Sequence, residues 1–102
     1  MYKLCVTELA QNDLDSIIGY IAVKLENPTA AGNLLCEIEK CCADLRRNPL
    51  MFSKSTDPRL EKEGYRKAIV KNYLLMFKVN EAQKTVTVYR IFYGPRDYQK
   101  LL

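Results

Sequence analysis

Arg59, Lys62, Arg66, Lys67, Lys71, Arg90 and Arg96 concentrate positive charge in the second half of a 102-residue chain, with Tyr93 and Tyr98 beside the last two. A guanidinium grips phosphate or carboxylate with two parallel hydrogen bonds, and an ammonium adds a point charge. Tyrosine stacks on a nucleobase or donates a proton. Such a set suits a polyanion or an acidic protein segment. Metal-free RNA cleavage also needs a base for the ribose 2′-hydroxyl and an acid for the leaving oxygen. The chain contains no histidine, so the usual neutral-pH proton carrier is missing. Glu61 or Glu63 serves as base only where the surrounding loop carries it to the cations.

Other chemistries find no residues to perform them. The sequence has no P-loop, no G-x-G-x-x-G, no G-x-S-x-G and no metal-ligand spacing, so no cofactor is expected. Cys5, Cys36, Cys41 and Cys42 form no C-x-x-C pair. Adjacent Cys41 and Cys42 are poorly placed for an ordinary disulfide, so reduced thiols in a cytoplasm are expected. No run approaches the roughly 18 apolar residues of a membrane span, and Met1-Tyr2-Lys3 leads directly into a strand-like run, with no signal peptide. With 48% hydrophobic residues the chain should fold as one domain. A formal net charge of +4 favours solubility and an acidic partner.

The elements that position the cations follow in order. Tyr2 to Val6 reads as a strand, and Thr7 as the N-cap of a helix over Glu8–Glu26. Leu14, Ile17, Ile18, Ile21, Ala22 and Leu25 form its apolar stripe. Asp13 and Asp15 suit the positive end of its dipole, and a close helix crossing would account for Gly19. Asn27-Pro28 caps and starts a second helix, whose stripe is Ala31, Leu34, Leu35, Ile38, Cys41, Cys42 and Leu45. Arg46 and Arg47 suit its negative end. Leu50 to Gly64 has no clean period and reads as a loop with one helical turn. Three strands follow, Tyr65–Val70, Tyr73–Val79 and Thr85–Tyr93, with connections short enough for an antiparallel meander. Gly94-Pro95 stops the last strand, and Tyr98 to Leu102 suits a final helical turn.

The expected class is α+β in the order β-α-α-β-β-β: an antiparallel sheet with a two-helix hairpin on one face. The opposite face has no second helix pair to cover it, and should expose the arginines and tyrosines near the strand ends.

The run Tyr89-Arg90-Ile91-Phe92-Tyr93-Gly94-Pro95-Arg96-Asp97-Tyr98 resembles the C-terminal signature of the RelE/ParE superfamily of bacterial toxins, also called plasmid-stabilisation proteins. There, a strand ending in an "R-I-x-[HY]-G-x-R-D" pattern closes the sheet. The order of elements extends the resemblance to nearly the whole chain. It implies a growth-arresting toxin of a type II toxin–antitoxin pair, neutralised by a cognate antitoxin that covers the basic face, as a homodimer or a toxin–antitoxin heterotetramer. The target implied is DNA gyrase or ribosome-bound mRNA. In the mRNA-cleaving branch Arg96 matches the arginine after the final glycine, and Tyr98 lies near the terminal tyrosine, in a different register. That branch's strand arginine is Leu74 here, and Tyr93 stands where many relatives carry histidine. The Tyr73-Leu74-Leu75-Met76-Phe77-Lys78-Val79 strand and the Gly-Pro-Arg-Asp-Tyr ending are more similar to ParE-type members. Arg59, Lys62, Arg66, Lys67, Lys71, Arg90, Tyr93 and Arg96 are the expected contacts to target or antitoxin.

Overall fold

The computed structural model describes residues 1–55 and 57–94. Strand β1 (Lys3–Val6) leads into helix α1 (Glu8–Gly19), which widens into a π-helical turn over Tyr20–Lys24. Thr7 caps α1: its hydroxyl oxygen accepts the Ala10 N–H at 3.1 Å and its O–H donates to the Tyr89 carbonyl at 2.8 Å. One side chain thus starts the helix and ties it to the last strand. Helix α2 (Pro28–Arg47) begins at Asn27, whose side chain accepts the Ala30 N–H, with Pro28 in the first turn. Nothing lies within 4 Å of a Cβ built at Gly19, so no close helix crossing accounts for that glycine.

Strands β2 (Arg66–Val70), β3 (Tyr73–Asn80) and β4 (Thr85–Tyr93) form the antiparallel meander. β1 joins the far side of β4 in parallel, giving the order β1-β4-β3-β2 and a mixed sheet. The Lys71–Asn72 turn has Lys71 at φ 54°. Gly94 closes on this turn, donating its N–H to the Asn72 carbonyl at 2.6 Å. A Cβ at residue 94 would stand 2.9 Å from that oxygen, so the approach needs glycine.

Between Met76 and Phe77 the β3–β4 register shifts: Met76 pairs with Arg90, and Phe77 with Val88. Tyr89 is the extra residue of a β-bulge. The alternation of β4 therefore reverses at Tyr89. Val86, Val88 and Ile91 join Leu75 and Phe77 beneath the helices, where Leu34, Ile38 and Leu45 meet them. Arg90 and Phe92 fall on the opposite face.

That opposite face is not bare. Helix α3 (Pro58–Lys62) lies within the stretch expected to be irregular, capped by Asp57, which accepts the Arg59 and Leu60 N–H groups. It lays Leu60 against Leu74, Met76 and Phe92, with Tyr65 alongside. All four are buried, Leu60 and Met76 completely. The expectation of an open cationic sheet surface is thereby corrected. Burying Leu60 contributes about 2 kcal/mol, enough to hold a helix too short to persist alone.

Candidate functional site

A partly buried ion pair joins α1 to the second sheet face. β1 covers the edge of β4 only from Thr85 to Val88. Beyond it, β4 would present unpaired N–H groups. Asp13 takes over there. Its Oδ2 accepts the Arg90 Nε–H at 2.7 Å and the Ile91 backbone N–H at 3.0 Å, and its Oδ1 accepts from Arg90 Nη2 at 3.0 Å. Both side chains are about four-fifths buried. The guanidinium also lies over the Phe92 ring, 4.8 Å from its centroid. The hydrogen bond to Asp13 raises the Arg90 pKa, burial opposes this, and the adjacent charge adds to it. Arg90 is therefore a fixed cation, and half of a structural clasp.

The remaining expected contacts divide between surfaces. Lys67 shares the Arg90 face: it pairs with Met76, which pairs with Arg90 on its other side. Arg66 lies on the helix-side face, and its Nη1 donates to the Phe52 carbonyl at 2.7 Å, holding the loop that follows α2. Arg59 and Lys62 lie exposed on α3, and Lys71 is exposed in the β2–β3 turn. Tyr93 is 43% exposed and packs on Tyr73 with ring centroids 5.5 Å apart. Arg96, Tyr98 and the final helical turn lie outside the described residues. Lys67 and Arg90 are thus brought onto one rung, while Arg66, Lys71 and Tyr93 are placed elsewhere.

Glu61 lines a shallow cavity with Lys54, Tyr65 and Arg66. A carboxylate, two cations and a phenol share this concave surface. Burial first, and then Glu63, push the Tyr65 pKa up, so that phenol stays protonated at neutral pH. Lys78 sits 4.4 Å from the Tyr65 ring and 5.4 Å from the Tyr89 ring. Burial likewise pushes Cys41 up to about 12, which leaves it a protonated core thiol and not a nucleophile. Among the described residues no group of histidine, cysteine or acidic side chains is disposed to hold a metal ion.

An apolar groove opens at one end of the molecule, lined by Ile17, Tyr20, Ile21, Leu25, Tyr73 and Tyr93. Tyr20 and Leu25 are each 55% exposed. A regular 3.6-residue period assigned Leu25 to the buried stripe. The π turn delays that rotation and brings Leu25 out. Large exposed apolar residues gathered around a groove mark a protein-binding surface. Asp13 was legible only as a helix-dipole residue, since its partner lies 77 residues away.

The comparisons extend this picture. A family model described as the ParE toxin of the type II toxin–antitoxin system, parDE, matches residues 4–98. A chain of the chromosomal ParDE system from P. aeruginosa is similar in fold: TM-score 0.71 at 24% identity, covering 91% of this chain and 96% of that one. A chain of the toxin–antitoxin complex RelBE2 from Mycobacterium tuberculosis is similar at TM-score 0.64 and 23% identity, covering 90% of this chain and 96% of that one. No curated protein sequence matches.

Proposed function

Since the chain belongs to the ParE toxin family of type II toxin–antitoxin systems, we propose that it arrests growth by binding and obstructing a large enzyme, DNA gyrase in the first instance, and not by cutting RNA. The observation that carries this reading is the Asp13–Arg90 clasp. An arginine already holding an internal carboxylate through two N–H bonds is poorly placed to bind a scissile phosphate. Leu74 and Met76, buried under Leu60, occupy the middle of the same face. The carboxylate-bearing cavity at Glu61 shares its wall with Arg66 and not with Arg90.

An antitoxin partner accompanies this reading. Its charges meet the exposed cations Arg59, Lys62 and Lys71, which speeds association, and its apolar anchors fill the groove at Tyr20, Leu25, Tyr73 and Tyr93, which supplies affinity. Both partners act in the cytoplasm. Among the described residues no helix is long and apolar enough to cross a membrane.

The alternative is ribosome-dependent mRNA cleavage. Its support is the rung that sets Lys67 and Arg90 on either side of Met76, together with the sequence match of Arg96 to that branch's arginine after the final glycine. Two assays decide. A supercoiling reaction with purified gyrase should be inhibited by the chain, and primer extension on mRNA from induced cells should show no new 5′ ends. Cleaved mRNA with unaffected gyrase would reverse the assignment.

A further inference from the structure

β1 lies at one edge of the sheet, and part of its outer side is open. The Lys3 N–H donates to the Lys84 carbonyl at 2.8 Å and the Thr7 N–H to the Val88 carbonyl at 3.0 Å. Odd-numbered residues of β1 thus direct their backbone groups to β4, and even-numbered ones direct theirs outward. The Tyr2 N–H finds the Arg46 carbonyl at the end of α2, at 2.8 Å. The N–H and C=O of Leu4 and of Val6 have no hydrogen-bond partner among the described residues. The Val6 side chain is 43% exposed. Edge strands are ordinarily blunted with charge or proline, yet Leu4-Cys5-Val6 contains neither.

A second copy fits this edge in one register. Antiparallel pairing about a two-fold axis at Cys5 matches each Leu4 with the other copy's Val6. Such a rung exchanges two N–H···O bonds, so every outward group of Leu4 and Val6 is satisfied. An axis at Leu4 would set Val6 against the other copy's Tyr2, whose N–H Arg46 already holds. An axis at Val6 would set Leu4 against Glu8, which is helical. With the axis at Cys5, Lys3 meets the other copy's Thr7, and Glu8 follows next in that chain. Lys3, Glu8 and Arg46 are exposed, and none has an ionic partner among the described residues. The negative end of α2, with Arg46, approaches the positive end of the other copy's α1, with Glu8. Charge and dipole are complementary at both ends of the pair. The two Lys3 residues stand four rungs apart, about 13 Å, beyond the screening length at physiological salt. The β2 edge does not suit a copy: an axis at Ile69 would set each Lys67 against the other copy's Lys71, and like charges directly opposite destabilise a sheet.

We propose that the protein self-associates through β1, two copies joining their sheets edge to edge about a two-fold axis at Cys5. Tyr2 and Leu4 pack on the helix side of the sheet, so Cys5 falls on the other side. The axis sets the two Cys5 residues opposite each other in a non-hydrogen-bonded rung, with Cα atoms about 4.5 Å apart. That separation lies within the range a disulfide spans. The interface is small beside the roughly 1,600 Å² of a standard one. The dimer is therefore transient, and Cys5 is the handle that captures it. The proposal stands apart from the gyrase and antitoxin readings, neither of which uses β1.

The test uses the full chain at millimolar concentration, with the exposed thiol removed by Cys36→Ser. Diamide takes two protons and two electrons from a pair of thiols and leaves a disulfide. Non-reducing electrophoresis should show a species at twice the 11.8 kDa chain mass, and peptide mapping should join Cys5 to Cys5. Cys5→Ser should abolish it. Val6→Pro removes an N–H that β4 does not use, at an edge where proline is tolerated, and should slow the cross-link by about tenfold. Lys3→Glu should slow it severalfold. Adding Glu8→Lys should restore the rate, a rescue that no folding defect would give and that holds even where the proline variant misfolds. Sedimentation of the reduced chain should show a monomer–dimer equilibrium in the same concentration range. Cross-linking that persists in Cys5→Ser, a rate indifferent to Val6→Pro in a folded chain, or no rescue by the charge exchange would overturn the proposal. So would a chain that stays monomeric at millimolar concentration, or species larger than a dimer, which would mean that β1 pairs with another surface.

Discussion

Asp13 and Arg90, on elements 77 residues apart, form a two-point ionic contact that closes the part of the β4 edge that β1 leaves uncovered. The same carboxylate satisfies the Ile91 N–H. Removing it strands a guanidinium and a backbone donor together. Asp13→Ala should therefore destabilise the chain by about 2 to 4 kcal/mol, measured by urea unfolding. Asp13→Asn keeps an acceptor for one donor and should cost less. A loss below about 0.5 kcal/mol would place this pair with surface ion pairs.

Leu60 is the apolar residue by which α3 closes the second sheet face. Leu60→Ala should cost about 2 to 4 kcal/mol. It should also speed amide exchange at Leu74 and Met76 in β3 while leaving Leu75 and Phe77 protected. Uniform loss of protection on both faces would show that α3 is not a separate cover.

Much of this architecture was legible in the sequence because it is local. Thr7, Asn27 and Pro28 announce their helix ends through side chains that meet backbone groups three residues on or fill the first turn. The β2–β3–β4 meander follows from turns only a few residues long. The misses are non-local or too short to have a period. β1 pairs with β4 across more than eighty residues, so its parallel sense left no trace in any window. Helix α3 is five residues long, below the length at which an apolar stripe can repeat. The bulge at Tyr89 reverses the alternation of β4, and the π turn at Tyr20 exposes Leu25. Neither irregularity follows from a simple period, which had placed Leu25 on the buried stripe. Cations close in sequence, such as Arg66 and Lys67, lie on different faces, a separation that composition alone does not show.

Gly94 should resist substitution. Gly94→Ala brings a Cβ to 2.9 Å from the Asn72 carbonyl, and the neighbour is backbone. Destabilisation of about 1 to 3 kcal/mol is expected, with faster amide exchange at Asn72 and Tyr73. Unchanged stability would mean that the turn yields freely.

The thiols should differ sharply in reactivity. Exposed Cys36 should react with a disulfide reagent at pH 8 well before buried Cys41, whose pKa is pushed up to about 12 by burial and then by Cys42 and Asp44. A group whose folded pKa lies above its unfolded value of 9.0 stabilises the fold fully below that value and ceases to do so as pH rises through the folded one. Stability should therefore decline between pH 9.0 and about 12. Cys41→Ala should flatten that decline. An unchanged alkaline slope would assign the effect to other groups, such as Tyr65 and Tyr73, whose phenols are also raised by burial.

Mapping mRNA 5′ ends in growth-arrested cells after induction of the chain is the most direct test of an obstructing toxin. The account predicts arrest with the same 5′ ends as uninduced cells. New cuts within translated codons that vanish in an Arg90→Ala variant would contradict it, because Arg90 would then be serving a phosphate and not Asp13.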